Sequence, residues 1–292
     1  MTRIASLAAA SLASLVAVLG CRSTETPRPD ARDQQADATA TRVVEVPTTP
    51  AAVDAASDAG ESPIGFACLA PHYAGHPVKV DAAWALELPG GVTVPWDDGR
   101  TKDTAARIAS PDVEDVFALG YPTGPIAPVT DPEIDPGRVR LEALFRATYG
   151  ADAREVSRAL TSVKIAGRTV RFHRRAAPAL ARVGRRLDAL LEAEPALEGY
   201  FRDLGGTFAT RTIAGTDRTS AHAWGIAIDI DTSSADYWRN APKGRWRNRI
   251  PASIVEAFEA EGFVWGGRWF HYDTMHFEYR PELFDPRCRT MR

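Results

Sequence analysis

The sequence predicts an α+β fold, a small antiparallel or mixed sheet flanked by helices, behind an N-terminal export signal and a flexible tether. Three observations carry this. All 7 Trp, 7 Tyr and 11 Phe of the 292 residues lie from Phe66 onward, so a folded core begins near that position. Within it, Leu180, Val183, Leu187, Leu190 and Leu191 recur at helical spacing. Other stretches, Val163 to Phe172 and Gly225 to Asp231, alternate apolar and polar residues as half-buried strands do. A composition of 45% hydrophobic and 25% charged residues excludes a wholly disordered chain and a multi-span membrane protein. The formal charge of -3 lacks the basic surplus of a nucleic-acid binder, so no nucleic-acid partner is expected.

The first segment reads as a signal peptide over residues 1–20. Arg3 supplies the positive start, and residues 4–20 are uncharged and rich in Ala, Leu and Val. The ending Val18-Leu19-Gly20-Cys21 resembles the bacterial lipobox, which implies that Cys21 is acylated and becomes the mature N-terminus. Because each buried methylene contributes about 0.8 kcal/mol, several acyl chains would hold the protein on a membrane. The other reading is a plain secretory peptide with an incidental Cys. Residues 21–63 then form a tether rich in Thr, Asp, Ala and Pro, without an aromatic residue. The expected location is an exported lipoprotein facing the cell wall or periplasm, on the outer membrane in a diderm cell because Arg22 follows the Cys. In an oxidising compartment the two remaining cysteines, Cys68 and Cys288, are expected to form a disulfide.

The folded part divides into residues 64–130, a wrapping segment of loops and short strands with no readable role, and a main domain at 131–292. In the latter, Val139 to Thr148 approximates one helical face and Gly150 can end it. Asp152 caps a short helix to about Leu160, and Val163 to Phe172 makes a hairpin around Ala166-Gly167. A helix follows from Pro178 to Ala193, then strands at Gly206–Ile213 and Gly225–Asp231. Pro251 starts a helix that ends before Gly262, and Trp269–Tyr279 is a last extended segment.

Chemistry concentrates in Ser220-Ala221-His222-Ala223-Trp224-Gly225-Ile226-Ala227-Ile228-Asp229-Ile230-Asp231 and in Asp273-Thr274-Met275-His276-Phe277-Glu278-Tyr279. On a strand, Ile226, Ile228 and Ile230 face the core while Asp229 and Asp231 face the other way, and either can offer a carboxylate. Gly225 lets the chain bend so that His222 approaches it. Two His and one Asp make a three-ligand zinc set with a position left for water. A serine nucleophile at Ser220 is disfavoured, because no acid is placed to orient His222.

The pattern Ser-x-His-x-x-Gly-x-Ala-x-Asp followed by Asp-x-x-His resembles the zinc peptidases of bacterial cell-wall stem peptides, the D-alanyl-D-alanine carboxypeptidases and L-alanyl-D-glutamate endopeptidases. Asp135-Pro136-Gly137-Arg138, Phe145 to Gly150, Arg211 to Thr216 and Gly262 to Trp269 extend the resemblance over residues 131–284. It implies that His222, Asp229 and His276 bind Zn2+, that Asp273 is the general base and that Arg211 stabilises the oxyanion. It also selects Asp229 over Asp231. Ser220 and Trp224 are expected to touch substrate, and Glu278 and His271 to support the ligands from behind. The implied partner is a peptidoglycan stem peptide. A catalytically silent wall-binding lipoprotein is the alternative. Asp in place of Glu before the second His inclines the expectation toward the endopeptidases.

Overall fold

In the computed structural model, residues 62–213, 216–241 and 245–289 are described; the expected signal peptide, Cys21 and the expected tether up to residue 61 lie outside them. The elements are α1 (Ile64–Leu69), β1 (His76–Val80), β2 (Ala83–Leu88), β3 (Val92–Pro95), α2 (Thr104–Ala109), α3 (Glu142–Tyr149) and α4 (Ala153–Arg158). Then come β4 (Leu160–Ile165), β5 (Arg168–His173), α5 (Ala177–Ala193), β6 (Ala227–Asp229), α6 (Ala252–Glu259), β7 (Phe263–Trp265), β8 (His276–Tyr279) and α7 (Pro286–Arg289). They form three small antiparallel sheets, ordered β1-β2-β3, β4-β5 and β6-β8-β7, with helices around them. The architecture is mixed α+β, as the sequence predicts.

Local chemistry explains the elements. The Asp152 side chain accepts the Glu155 backbone N–H at 2.8 Å and starts α4. The β4-β5 hairpin turns through Ala166 and Gly167 at φ of 46° and 72°, the left-handed pair that a two-residue hairpin needs. α5 buries Leu180, Val183 and Leu187 completely. Its Gly184 lies so close to β4 that a Cβ would come 2.5 Å from the Lys164 carbonyl oxygen, so helix and strand approach there only without a side chain.

Two expected strands differ. Gly206–Ile213 is no strand: Gly206 bridges Asp229, the Ala209 N–H donates to the His222 carbonyl, and Thr212 bridges Thr219. Successive residues thus pair with different partners and no ladder forms. In Trp269–Tyr279 only His276–Tyr279 is strand, because the Asp273 N–H donates back to the Gly266 carbonyl at 3.0 Å and the His276 N–H to the Asp273 carbonyl at 3.2 Å, which curls the chain before β8.

Residues on both sides of position 130 share one hydrophobic cluster, from Phe66, Leu86 and Val94 to Ile228, Phe263 and Phe277. Tyr121 adds a polar stitch: its hydroxyl donates to Glu259 and accepts from the Trp265 N–H at 2.8 Å. In the same region the Lys102 ammonium is buried among Asp98, Asp112 and Asp115 at 2.9, 2.8 and 2.6 Å, so these carboxylates already hold a cation of the protein's own. The Cys68–Cys288 disulfide joins α1 to α7 across 220 residues. Closing so long a loop is worth about 5 kcal/mol in the chain-entropy model.

His173 links the hairpin to the site below. It is buried at 2% exposure; its backbone N–H donates to the Gly225 carbonyl at 2.8 Å, and its ring nitrogen Nδ1 accepts the Arg175 N–H at 3.2 Å. Burial pushes the imidazole down to about 4. A depressed folded value means that the neutral ring's contribution is fully present above the unfolded value of about 6.5 and is lost as pH falls toward 4, worth about 2 kcal/mol with solvent screening. Denaturant unfolding of His173→Gln between pH 7 and 4 is therefore expected to show a shallower acid loss than the parent by about that amount. Parallel curves would contradict it.

Candidate metal centre

The antiparallel pairing of β6 with β8 sets Asp229 directly opposite His276, Ile228 opposite Phe277 and Ala227 opposite Glu278. The apolar pair anchors the register, since Ile228 and Phe277 are fully buried and Phe277 stacks on Phe258 at 4.0 Å. His222 reaches the same point from a single 3-10 turn, Ala221–Trp224, closed by Gly225 at φ 64°. A side chain at Gly225 would be strained, and its Cβ would lie 2.6 Å from Leu160.

Three ligand atoms converge there. His222 Nε2 is 3.1 Å from Asp229 Oδ1 and 3.2 Å from His276 Nδ1, and His276 Nδ1 is 3.0 Å from the same Asp229 oxygen. Four ligands about 2.0–2.1 Å from a tetrahedral zinc stand about 3.3 Å from one another, so this triangle matches one face of such a site. Borderline imidazole and carboxylate donors suit zinc as well. The group His222, Asp229 and His276 can thus hold a metal ion.

The electrostatics fit that use. Burial opposes ionisation of Asp229, but hydrogen bonds from His222 and His276 hold its carboxyl well below the usual range. Burial likewise opposes a charge on His276, yet its contacts with Asp229 and Glu278 push it up to about 9, so it keeps a proton that a divalent cation would displace. Glu278 lies two residues along β8 on the same face, its Oε2 3.4 Å from His276 Nε2. Arg140 donates to it from Nε at 2.7 Å and also from Nη2. Against the cost of full burial, that guanidinium keeps Glu278 ionised. A carboxylate behind a ligating imidazole fixes the ring and its tautomer.

Around the triangle lies a cavity of about 300 Å³ lined by Arg138, Arg211, Ser220, Tyr237, Trp238, Trp269, His271 and Asp273, among others. Arg211 and Ser220 meet across a narrow hairpin in which Thr212 bridges Thr219 and the Ser220 N–H donates to the Arg211 carbonyl. The exposed Arg211 guanidinium is 4.0 Å from Asp229 Oδ2. Asp273 opens onto the cavity, and its Oδ1 is buried with no hydrogen-bond partner among the described residues. Burial, with the Asp229 charge adding to it, pushes Asp273 up to about 6.

Several expected residues sit elsewhere. Trp224 is 2% exposed and packs on Phe145 at 5.1 Å; it does not line this cavity. His271 is on the wall, but its Nδ1 contacts Asp135 at 2.7 Å and it does not back a ligand. Asp231 instead accepts from the Ser233 N–H and the Ser233 and Ser234 hydroxyls. Sequence reasoning missed Arg140, whose signal was Arg-Val-Arg at 138–140 with Val139 buried between. It also missed the cavity residues Tyr237 and Trp238, which lie in a stretch with no periodicity.

Residues 214–279 match the family model described as D-alanyl-D-alanine carboxypeptidase. The match holds Ser220, His222, Asp229, Asp273 and His276 and stops short of Arg211. The matched segment, which carries the candidate metal group, is thus similar to this peptidase family. Searches of the curated proteins and of the solved structures gave no match to the chain.

One zinc ion per chain is expected in competition with a chromophoric chelator. His222→Ala and His276→Ala should weaken binding by more than about 100-fold, and Glu278→Gln by about 10- to 100-fold. Asp273→Asn should stay within a few-fold. Parental affinity in His222→Ala would remove the site.

Proposed function

We propose that the chain is a zinc-dependent peptidase of peptidoglycan stem peptides. The observation that carries the reading is the convergence of His222, Asp229 and His276 beside Asp273, whose buried Oδ1 has no hydrogen-bond partner among the described residues. Zinc, when held there, supplies Lewis-acid polarisation and brings the pKa of water at its open position toward neutrality.

The chain's own residues do the rest. Asp273 takes a proton from the attacking water and returns it to the leaving amine. Its raised pKa leaves it ionised at neutral pH but basic enough for that exchange. Arg211 donates to the oxyanion of the tetrahedral intermediate from a planar guanidinium at the cavity edge. Ser220, paired to Arg211 through the hairpin, offers a hydroxyl to a substrate carbonyl or carboxylate. Glu278 and Arg140 hold the His276 ring in place, and Trp269, whose ring centre is 5.7 Å from that of His276, closes the wall. An export signal and lipid at Cys21 would present this site to the wall on the tether.

Two cleavage positions are compatible with these roles. Asp rather than Glu before His276 favours hydrolysis between L-Ala and D-Glu, because a base one methylene shorter seats the scissile carbonyl differently for a hydrogen bond of about 2.6–3.2 Å. The family description favours release of terminal D-Ala. Zinc-loaded protein incubated with a synthetic stem pentapeptide should release L-Ala under the first assignment and D-Ala under the second, read by mass spectrometry. Asp273→Asn should lower kcat by more than about 100-fold with its zinc content intact. Full turnover by Asp273→Asn, or no cleavage by the zinc-loaded parent, would contradict the proposal.

A further inference from the structure

Beside the cavity, residues 245–249 read Arg-Trp-Arg-Asn-Arg; the three Arg are exposed and the two residues between them half-buried. The inward residues fix the segment. The Trp246 indole donates to the Gly267 carbonyl at 2.9 Å and meets Tyr272 edge-on at 6.3 Å. Asn248 donates to the Ile250 carbonyl and accepts its N–H, both at 2.8 Å. The alternation leaves Arg245, Arg247 and Arg249 exposed, with the Arg249 guanidinium turned onto Asp236 and the Ser233 and Ala235 carbonyls.

The face is positive by construction. Among the described residues Asp236 is the carboxylate paired with this face, 3.1 Å from Arg249 and 4.0 Å from Arg247, and Arg245 makes no ion pair. Those two side chains remain 52% and 58% exposed. The whole chain carries a formal charge of -3, so this is a local concentration and not an overall bias. It is also joined to the cavity. The Tyr272 hydroxyl donates to the Arg245 carbonyl at 2.8 Å, the Trp238 N–H donates to the Tyr272 carbonyl at 3.0 Å, and Tyr237 bridges Asp273. Tyr237 and Trp238 line the cavity, and the Arg239 guanidinium lies 5.1 Å over the Trp238 ring.

We infer that Arg245, Arg247 and Arg249 form a docking rail for the polymer from which the substrate peptide branches, through the free carboxylates of its neighbouring stem peptides. The rail holds that polymer while one peptide enters the cavity. This rests on the peptidase reading. Each exposed contact is weak, but a row of guanidinium groups on a segment tied to the cavity wall raises the local concentration of an anionic chain and gives it a salt-dependent affinity. The position favours the substrate's own polymer over a lipid surface, because the row adjoins aromatic walls that a peptide and its glycan must pass.

The test compares the parent with Arg245→Gln/Arg247→Gln, sparing Arg249 because it also donates to the Ala235 carbonyl at 2.6 Å. Co-sedimentation with insoluble peptidoglycan and kcat/KM on that polymer and on a soluble stem peptide are measured at about 50 and about 300 mM salt. The parent should lose about ten-fold in polymer affinity over this range. At low salt the double variant should bind about ten-fold more weakly with a flatter salt response, and its polymer-to-peptide ratio of kcat/KM should fall to match. Arg245→Lys/Arg247→Lys should recover most of the binding. Unchanged sedimentation of the Gln pair would overturn the rail, as would a Lys pair as weak as the Gln pair. Parent protein that pellets with anionic lipid vesicles and not with peptidoglycan would overturn it too. Parent protein that pellets with the expected salt dependence yet cuts neither substrate would leave the rail standing and fail the peptidase reading.

Discussion

The pairing of Asp229 with His276 across β6 and β8 is the constraint on which the rest depends. In a sheet of period two, a slip of one residue would turn His276 and Glu278 together to the opposite face, away from Asp229 and Arg140. The register is held from the core side by Ile226, Ile228, Ile230 and Phe277, all fully buried. On the polar side Ala227 stands opposite Glu278, leaving room for that carboxylate and for Arg140 against it. Core packing and metal geometry are therefore two faces of the same three-residue strand.

The buried charges below the ligands follow from that placement. Glu278 and Arg280 are fully buried, and Arg140 is nearly so. Desolvating such groups costs several kcal/mol per ion, and the cost is offset only where each has good partners. Arg280 meets that condition: it donates to Glu282 at 2.5 Å and to the Gly137 and Val139 carbonyls at 2.6 and 3.1 Å. Those two carbonyls bracket Arg138 and flank Arg140, so a buried cation on the segment after β8 sets where the cavity arginines sit. Gly137 is needed in that loop, at φ 85° with Leu283 3.2 Å from where a Cβ would be. The ion network is best understood as positioning for the site, at some expense to stability.

Much of this was legible in the sequence, and the limits have physical causes. Helices α4 and α5 and the β4-β5 hairpin followed from a cap, a 3.6-residue period and a left-handed turn, all local signals. The three candidate ligands were legible because metal binding needs particular residue types, and because the stretch around them resembles a peptidase family whose model matches that segment. The Gly206–Ile213 strand failed because its pairing partners are scattered over β6, the His222 turn and the Thr219 arm. Trp224 stands off the cavity, against Phe145, because nearness in sequence to a candidate ligand does not fix which way a side chain points. Glu278 was expected behind a ligand, but its partner Arg140 lies 138 residues away, a distance across which no local pattern reaches.

X-ray absorption at the zinc edge tests the central claim most directly, on protein loaded with one equivalent of zinc and on His276→Ala treated alike. The account predicts four or five light ligands at about 2.0–2.1 Å, with scattering from two imidazole rings in the parent and at most one in the variant. A sulfur ligand, or a six-coordinate shell without imidazole scattering in the parent, would contradict it.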